Sequence, residues 1–377
     1  MFDFSSANLD REFPVRKNLV YLNHAAVAPL PARVAAAVRA HADDQSNFGA
    51  LRWKTWYRRY DELREKAAAF VGGDASRLSL LPSTSLALNL VAQGLDWKTG
   101  DNVVGDDLEF PANVYPWMNL APRGVEYRIA RSRDGRLTAG DFAPLVDERT
   151  RVVAVSWVAF HSGAVLPIAD LAALCRDRPT LFVVDAIQGL GTMPIDAGRL
   201  GIDVLAADGH KFLYGPEGLA IFAFSEKAKA AVRPPWVGWW NVPWRDSQLE
   251  YDLRPFESGR RFEAGSLPTG SVFALAEAID LLSSIGMEEA QSHIGRLTGA
   301  LRDGLASLGW TFRTPEGSRS AILAAVPPSG DARAAVAKLE ERKIVTSPRE
   351  GAVRFAPHVG NDETEIERVL EAARAID

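Results

Sequence analysis

The sequence predicts an α/β fold, in which a large domain forms three layers around a mostly parallel sheet and a smaller α+β domain follows at the C-terminal end. Strand-like and helix-like segments alternate from about residue 30 to 340, which is typical of such a sheet. Several strand-like segments are continuous apolar runs, as strands covered on both faces require. After about residue 270 a long helical stretch leads into short strands and helices, which indicates the second unit.

The individual elements follow from the spacing of apolar residues. Strands are predicted at 78–81, 101–107, 124–130, 151–158, 180–185, 204–208 and 219–224. Helices are predicted between them at 31–42, 54–71, 86–95, 113–121, 139–146 and 168–177. The second unit is predicted to begin with a helical stretch at roughly 270–308, to contain strands in "WTFRTP", "SAILAAVPP", "IVTSP" and "AVRFAPH", and to have helices at 331–342 and 362–376.

Composition narrows the class of protein. The chain has 377 residues, of which 47% are hydrophobic and 24% charged, and its net charge of −5 argues against nucleic acid as a partner. The six histidines show no metal-ligand spacing, so no metal is predicted. No apolar run approaches the ~18 residues that a membrane span needs, and the first residues lack the apolar core of a signal peptide. We therefore expect a soluble, cytoplasmic protein.

The single cysteine, Cys175, lies in the amphipathic segment "PIADLAALCRDRP". A disulfide framework is impossible with one cysteine, and a cysteine-based zinc site is disfavoured. We expect an inert, half-buried thiol rather than a reactive one, because reactive cysteines need an exposed electropositive environment.

Two charged residues of opposite sign follow strongly apolar strands. Asp185 ends "LFVVD", and Lys211 follows the next strand within "DGHKFLYGPEG". In open α/β sheets, ligands bind at the carboxyl ends of strands. A lysine amine can form a Schiff base with a carbonyl group, and pyridoxal phosphate uses such a lysine together with an acidic partner for its ring nitrogen. The alternatives are a lysine that extends its ammonium to water and an aspartate that caps a helix.

A phosphate group has a candidate site in "LLPSTSLALNLVAQGL". Pro82 ends a strand, and Ser83, Thr84 and Ser85 begin a helix whose free N–H groups and hydroxyls favour an anion. His210 could add a donor to the same phosphate. Helix capping and a structural histidine are the alternative interpretations.

Three further residues complete the candidate site. Phe110 follows a strand in "DLEFPANVYPW" and could stack on the pyridine ring. Gln188 could donate to the phenolic oxygen of the ring. Arg354, in the strand-like "AVRFAPH", could clamp a substrate carboxylate through two hydrogen bonds. A core phenylalanine, a surface glutamine and a surface arginine remain the alternatives.

Taken together, these segments resemble the class V aminotransferase family of fold-type-I pyridoxal-phosphate enzymes, in the branch of cysteine desulfurases, selenocysteine lyases and isopenicillin N epimerase-like proteins. The resemblance covers nearly the whole chain. It rests on eight segments in order, which are "YLNHAAVAPLP" (21–31), "STSLALNLVA" (83–92), "LEFPANVYPW" (108–117), "SWVAFHSGAVLPI" (156–168), "VVDAIQGLG" (183–191), "DGHKFLYGPEGLAI" (208–221), "RRFEAGSLPTG" (260–270) and "VRFAPHVGNDETEI" (353–366).

The resemblance implies roles for individual residues and a cofactor, pyridoxal 5′-phosphate. Lys211 and Asp185 match the catalytic pair, and Arg354 the substrate-carboxylate arginine. The matches for cofactor binding are Thr84, Ser85, Gln188 and His210. Phe110 or Pro111 matches the stacking position, and Phe110 is preferred because a proline has no π face. Ser266 matches a phosphate contact, with Thr269 as the less favoured choice. Ser266 falls where a neighbouring subunit reaches the phosphate, which implies a homodimer with shared sites. The resemblance also assigns residues 16–283 to the large domain, and 284–377 with 1–15 to the small one.

Three departures from the family pattern bear on the reaction. Residues 320–350 contain no cysteine, which disfavours sulfur transfer through a persulfide there. Phe160 replaces an asparagine, and the stacking histidine is absent, so that His24 or Lys211 must move protons at the substrate.

These departures leave several reactions open. We favour a C–S or C–Se lyase, or an epimerase, that acts at Cα and Cβ of an amino acid. A true aminotransferase with a 2-oxo acid acceptor is the alternative. A nicotinamide-dependent dehydrogenase, suggested by "GLGTMP" (189–194), is remote because that segment lacks the third glycine. A binding protein without catalysis would not need Lys211 and Asp185 together.

The tryptophan-rich segment "VGWWNVPW" (237–244) has two interpretations. It either lines the substrate cleft of the partner subunit or forms an apolar interface.

Overall fold

The structure is a computed structural model, which describes residues 2–243 and 249–376. Trp244, the last residue of the tryptophan-rich segment, lies outside the described residues. The strands are β1 (Val20–Tyr21), β2 (Leu78–Leu81), β3 (Asn102–Asp106), β4 (Glu126–Ala130), β5 (Thr150–Ser156), β6 (Leu181–Asp185), β7 (Val204–Asp208), β8 (Ala220–Phe224), β9 (Thr311–Phe312), β10 (Leu323–Val326), β11 (Ile344–Val345), β12 (Ser347–Arg349) and β13 (Ala352–Phe355).

The helices follow the same chain order. The α-helices are α1 (Ser6–Glu12), α2 (Ala32–Phe48), α3 (Trp53–Val71), α4 (Thr84–Gly94), α5 (Tyr115–Met118), α6 (Ala139–Phe142), α7 (Ile168–Cys175), α8 (Ala197–Leu200), α9 (Glu226–Ala231), α10 (Thr269–Ile285), α11 (Met287–Ser307), α12 (Ala332–Glu341) and α13 (Glu363–Ala373). Short 3-10 helices lie at Pro14–Lys17, Gly49–Arg52, Ala75–Arg77, Pro111–Asn113, Ala121–Arg123, Ala143–Leu145 and Gly259–Phe262.

A seven-stranded sheet forms the centre of the large unit, with the strand order β2-β8-β7-β6-β5-β3-β4. The pairs from β7 through β6, β5 and β3 to β4 are parallel, and β8 runs antiparallel to both of its neighbours. Alternate residues of β6 enter different cores: Phe182 and Val184 pack on one face, and Leu181 and Val183 on the other. Burial on both faces explains why this strand is an unbroken apolar run in the sequence.

Helices cover the sheet on both faces. Helix α10 packs against α2 and α3, and their apolar side chains join the larger core cluster on one face. Helix α4 packs against β7 and β8 on the opposite face. The three-layer α/β class predicted from the sequence is therefore confirmed.

The second unit has its own antiparallel sheet, in the order β12-β13-β10-β9, with a separate core. Helices α11, α12 and α13 pack on this unit. The N-terminal strand β1 pairs in parallel with β11, and Val20 and Leu22 are buried in the same core as Leu301. The residue bounds of the two domains stay a prediction, although the segment around Val20 packs with the C-terminal unit.

Three predicted helices differ from the structure. The one at 139–146 is a single α-helical turn, α6, followed by the 3-10 helix Ala143–Leu145. The stretch at 270–308 is two helices, α10 and α11, that meet at an angle of 80°. They break at Gly286, whose φ of 86° lies outside the helical range and suits glycine. The helix predicted at 113–121 is only α5, a single turn with Pro116 in it, and short 3-10 turns flank it.

Cys175 is more enclosed than the sequence suggested. It ends α7 with 1% of its surface exposed, and burial raises the pKa of its thiol to about 12. Among the described residues, no single helix is long and apolar enough to span a bilayer; only α10 and α11 taken together reach those limits, across their bend.

Candidate active site

A cavity of about 270 Å³ opens where β6 and β7 end at the same edge of the sheet. We call it the strand-end cavity. It is lined by Ala25, Ala26, Ser83, Thr84, Ser85, Phe110, Ala112, Phe160, Asp185, Ile187, Gln188, Asp208, His210, Lys211, Arg349 and Arg354. Parallel strands bring their carboxyl ends together, which is why residues far apart in the sequence meet here.

Asp185 is the last residue of β6 and is 3% exposed. Its Oδ1 accepts a 3.0 Å hydrogen bond from the Ile187 N–H, which fixes the carboxylate. Burial raises the pKa of Asp185 to about 6, while the Ile187 N–H and the positive charge of Lys211 act in the opposite direction. The carboxylate is therefore charged at neutral pH and stands at the end of the strand, where a cationic partner would be stabilised.

Lys211 lies in the loop that follows β7 and lines the same cavity. Burial lowers the pKa of its amine to about 8, Asp185 and Asp208 oppose this shift, and Arg354 contributes to it. The Nζ atom is 5.7 Å from the centroid of the Phe110 ring. An amine with such a pKa is partly neutral near pH 8 and can then act as a nucleophile or a base.

Contacts to Phe212 and Tyr214 fix the backbone of the loop that carries Lys211. Phe212 O accepts a 2.7 Å hydrogen bond from Nε2 of His358, because Nδ1 of that ring accepts from the Val359 N–H. A Cβ at Gly191 would lie 2.2 Å from Phe212 O, so that only glycine allows this approach. Tyr214 has a φ of 59° and stacks on His358 with ring centroids 4.3 Å apart. These contacts position the lysine without occupying its amine.

The N-terminus of α4 forms one end of the cavity. Ser83 caps the helix, since its Oγ accepts from the Leu86 N–H at 3.1 Å. Thr84 is 4% exposed and its Oγ1 accepts from the Asp208 N–H at 2.8 Å, which leaves the hydroxyl proton for a ligand. Ser85 is exposed beside it. The first-turn N–H groups and these hydroxyls make this end suited to an anion.

His210 extends the same end of the cavity. Its Nδ1 lies 2.8 Å from Oδ1 of Asp208, the last residue of β7. The ring is half-buried and lines the cavity with Thr84. The structure thus brings the three residues predicted for phosphate binding, Thr84, Ser85 and His210, to one place.

Gln188 is buried, with 3% of its surface exposed. Its Nε2 donates to Ala25 O at 3.1 Å, and because that carbonyl only accepts, the amide orientation is fixed. Its Oε1 is buried without a hydrogen-bond partner among the residues that the structure describes. An unpaired buried oxygen costs about 1–3 kcal/mol, so the site favours a ligand that supplies a donor.

Arg354 lies in β13 and is 2% exposed, so it is not the surface arginine of the alternative interpretation. Nη1 donates to Phe160 O at 2.9 Å, and Nη2 to Asn23 Oδ1 at 3.4 Å. Its Nε has no acceptor among the described residues. Burial lowers the pKa of Arg354 to about 9. A buried guanidinium with only neutral partners is suited to bind an anion from the cavity.

Two aromatic rings form the apolar side of the cavity. Phe110 is 45% exposed at the rim, and its ring meets Phe160 edge to face with centroids 5.1 Å apart. Phe110 lines the cavity, whereas its neighbour Pro111 does not. This placement agrees with the choice of Phe110 as the stacking residue, which stays a prediction.

The single chain does not bring three of the predicted residues to the cavity. His24 is buried with Nδ1 2.8 Å from Ala356 O, and burial lowers its pKa to about 4. Its neighbours Ala25 and Ala26 reach the lining instead. Ser266 is exposed, and Thr269 Oγ1 lies 2.8 Å from the Tyr60 hydroxyl.

Two residues that the sequence reasoning missed also belong to this region. Arg349 lines the cavity beside Arg354. Glu109 lies under the rim, where it accepts hydrogen bonds from Ser156 Oγ at 2.6 Å and from the Ser156 N–H. Burial raises the pKa of Glu109 well above its ordinary value, and the nearby Asp106 adds to the shift. The position of Glu109 between the apolar residues Leu108 and Phe110 was the signal that could have pointed to it.

Comparison with known proteins identifies the family. The family model described as Aminotransferase class-V matches residues 20–353. A probable cysteine desulfurase of Methanothermobacter thermautotrophicus is 30% identical over 316 residues, which cover 82% of this chain and 78% of the relative.

Solved structures show the same fold. The structure of a C-DES mutant with glycine covalently linked to the PLP cofactor aligns with a TM-score of 0.91 and 25% identity, over 97% of this chain and 98% of the other. The complex between the cystine C-S lyase C-DES and its reaction product cysteine persulfide aligns with a TM-score of 0.90 and 26% identity, over 96% of this chain and 99% of the other.

Proposed function

The chain belongs to the class-V aminotransferase family, and from this premise we propose that Lys211 carries out its chemistry at Cα and Cβ of an amino-acid substrate. The protein is a pyridoxal-phosphate-dependent enzyme. When bound, the cofactor supplies an electron-accepting ring that stabilises a carbanion at the substrate Cα. The observation that carries the proposal is the meeting of Lys211 and Asp185 in one cavity that also contains a helix N-terminus.

The residues of the strand-end cavity fit this cofactor. Thr84, Ser85 and His210 would hold its phosphate. Asp185 would bind the ring nitrogen, and the unpaired Oε1 and second amide proton of Gln188 would meet a polar group of the ring. Phe110 would cover one face of the ring, and Lys211 would hold the cofactor covalently through a Schiff base.

Lys211 is also the group best placed to move the substrate proton. Its Nζ accepts the proton from Cα when the amine is neutral, which its lowered pKa of about 8 allows near neutral pH. His24, the other candidate from the sequence, is enclosed away from the lining. Arg354 orients the substrate by binding its α-carboxylate.

The fate of the substrate after proton removal defines the reaction. We favour elimination at Cβ, as in a C–S or C–Se lyase, or epimerisation, and keep transamination as the alternative. The similarity to a protein titled cystine C-S lyase supports elimination. The absence of a cysteine from 320–350 and the burial of Cys175 support a reaction in which the chain itself carries no sulfur.

A homodimer with shared sites is part of the proposal. Ser266, the residue predicted to reach a phosphate, lies away from the strand-end cavity of its own chain and is exposed. It lines a different cavity, with Leu81 and Trp236. Trp239 and Val237 are exposed nearby in the sequence, and apolar exposure of this kind is typical of interfaces.

Product analysis tests the reaction type. The holoenzyme is incubated with cystine, cysteine, selenocysteine and a panel of other amino acids, each with and without a 2-oxo acid. A keto acid and a released β-group without the acceptor establish a lyase, and exchange of solvent deuterium into Cα without either makes an epimerase the working answer. Turnover only with the acceptor establishes a transaminase and refutes the favoured reaction.

A variant pair tests the role of Lys211. Lys211→Ala should lose the cofactor link that borohydride fixes in the wild type, as measured by intact-protein mass. Lys98→Ala removes an exposed lysine and should retain the link. A fixed cofactor in Lys211→Ala would refute the proposed function.

A further inference from the structure

A tight hairpin places two arginines on one face. Strands β12 and β13 are joined by Glu350 and Gly351, whose φ values of 45° and 75° are those of a two-residue turn that suits hairpins. In this register Ser347 pairs with Arg354, and Arg349 pairs with Ala352. Side chains two residues apart on a strand share a face, and so do paired residues. Arg349 and Arg354 therefore project from the same face of the hairpin.

Both arginines line the strand-end cavity. Arg349 is half-buried, and Nη1 donates to Pro348 O at 2.8 Å. Arg354 binds neutral oxygens. Among the described residues, neither guanidinium forms an ion pair with a carboxylate. The two cations repel each other, and the charge of Arg349 lowers the pKa values of Arg354 and Lys211.

The two positive charges of Arg349 and Arg354 exceed the single negative charge of the α-carboxylate of a simple amino acid. Arg354 is sufficient for one α-carboxylate, because a guanidinium binds a carboxylate through two parallel hydrogen bonds. The residues suited to the cofactor phosphate are Thr84, Ser85 and His210, on other elements than the hairpin. Arg349 is therefore a second cation without an acidic partner, and it is available to bind a second anionic group on the substrate.

We propose that Arg349 is a specificity-determining residue that selects amino acids with a second anionic group beyond Cβ, such as a distal carboxylate. A disulfide-linked amino acid with two carboxylates belongs to this class. The proposal rests on the proposed function, since it assigns the substrate of the same site. Phe160, which meets Phe110 edge to face on the apolar side of this cavity, would contact the uncharged part of such a substrate.

Binding of two four-carbon acids to the holoenzyme tests this assignment. Succinate carries two carboxylates and butyrate one, and their dissociation constants are measured by calorimetry. A charge-assisted hydrogen bond contributes about a tenfold to hundredfold gain in affinity, so the wild type should prefer succinate by at least about tenfold. Arg349→Gln should remove that preference and leave butyrate binding within about twofold. Arg333→Gln, a change at an exposed arginine of α12, should retain it.

A second readout uses the substrates that turn over. For a dianionic amino acid, Arg349→Gln should raise KM at least about tenfold, whereas for a monoanionic one KM should change by no more than about twofold. Equal weakening of succinate and butyrate, or an unchanged preference for succinate, would overturn the assignment.

The two proposals fail in different ways. If Lys211→Ala retains a borohydride-fixed cofactor, the proposed function fails. If the wild type holds the cofactor through Lys211 but binds succinate no better than butyrate, only the role of Arg349 fails.

Discussion

Asp208 donates its backbone N–H to Oγ1 of Thr84 over 2.8 Å, which ties the end of β7 to the first residue of α4. The strand leads into the loop of Lys211, and the helix begins at the candidate anion site. One hydroxyl therefore fixes the distance between the two ends of the cavity, since Thr84 is buried and its oxygen is held by the strand.

Thr84→Val tests this connection. Valine preserves the shape but removes both the acceptor for the Asp208 N–H and the proposed donor to the cofactor phosphate. A hydrogen bond to a charged group contributes about 1.5–3 kcal/mol, so the dissociation constant for pyridoxal phosphate should rise about tenfold to hundredfold. Equilibrium dialysis against the cofactor measures it. Thr84→Ser keeps the hydroxyl and should stay near the wild type; equal loss in both variants would contradict this role.

The lowered pKa of Lys211 predicts how cofactor attachment depends on pH. Burial favours the neutral amine, so that the pKa falls to about 8 from its ordinary value of 10.5. Because the neutral amine is the nucleophile, the rate of attachment to the apoprotein should rise about tenfold per pH unit below pH 8 and level off above it. Stopped-flow absorbance measures this rate.

A lysine peptide is the reference for that measurement. Its amine titrates near its ordinary value, so its rate should continue to rise beyond pH 9. A protein profile that also rises through pH 9 without levelling would show that Lys211 is not desolvated in the apoprotein.

The sheet could be predicted because both of its faces are covered. Strand β6, predicted at 180–185 and observed at Leu181–Asp185, is apolar at every position before the aspartate. The break between α10 and α11 could not be predicted in the same way, because apolar periodicity continues on both sides of Gly286. A single glycine is tolerated in helices, and only the packing of the two units decides that the chain turns there.

Residues of the candidate site could be predicted only where they stand out from their neighbours in the sequence. Asp185 and Lys211 were visible because a charge at the end of an apolar strand needs a reason. Arg349 was missed because its position depends on the hairpin register that pairs it with Ala352. The position of Ser266 outside the strand-end cavity of its own chain could not be deduced from its segment, and its role in a neighbouring subunit stays a prediction.

The buried acids Asp106 and Glu109 predict a second pH dependence, in stability. Burial raises the pKa of Asp106 from 3.8 to about 7 and that of Glu109 well above 4.5. The folded state thus holds these protons more tightly than the unfolded state. The stability that these protons contribute is fully present below the pKa values of the two acids in the unfolded state. It is lost as the pH rises through their pKa values in the folded state.

Asp106→Asn should remove the contribution of Asp106, because the amide stays neutral and its oxygen can still accept from the Leu108 N–H. Relative to the wild type, the variant should gain about 2–4 kcal/mol of stability between pH 4 and pH 7. Urea unfolding at several pH values measures the difference. A difference between the two proteins that does not change with pH would show that Asp106 is ionised in the folded state.

The buried thiol of Cys175 predicts that the chain's only cysteine takes no part in turnover. Burial raises its pKa from 9.0 to about 12, which lowers the thiolate fraction about a thousandfold. The folded protein should therefore react with a thiol reagent only after unfolding by urea. Cys175→Ala should keep kcat within about twofold and lose about 1–2 kcal/mol of stability, because it leaves a small cavity beside α7.

The decisive comparison is β-elimination by Cys175→Ala against Lys211→Ala, with circular dichroism to show that both are folded. If elimination persists in the first variant and disappears in the second, sulfur leaves the substrate without passing through the enzyme's own thiol. If a folded Cys175→Ala protein loses elimination while it retains its cofactor, the thiol must reach the substrate during turnover. The buried position of Cys175 at the end of α7 argues against that route.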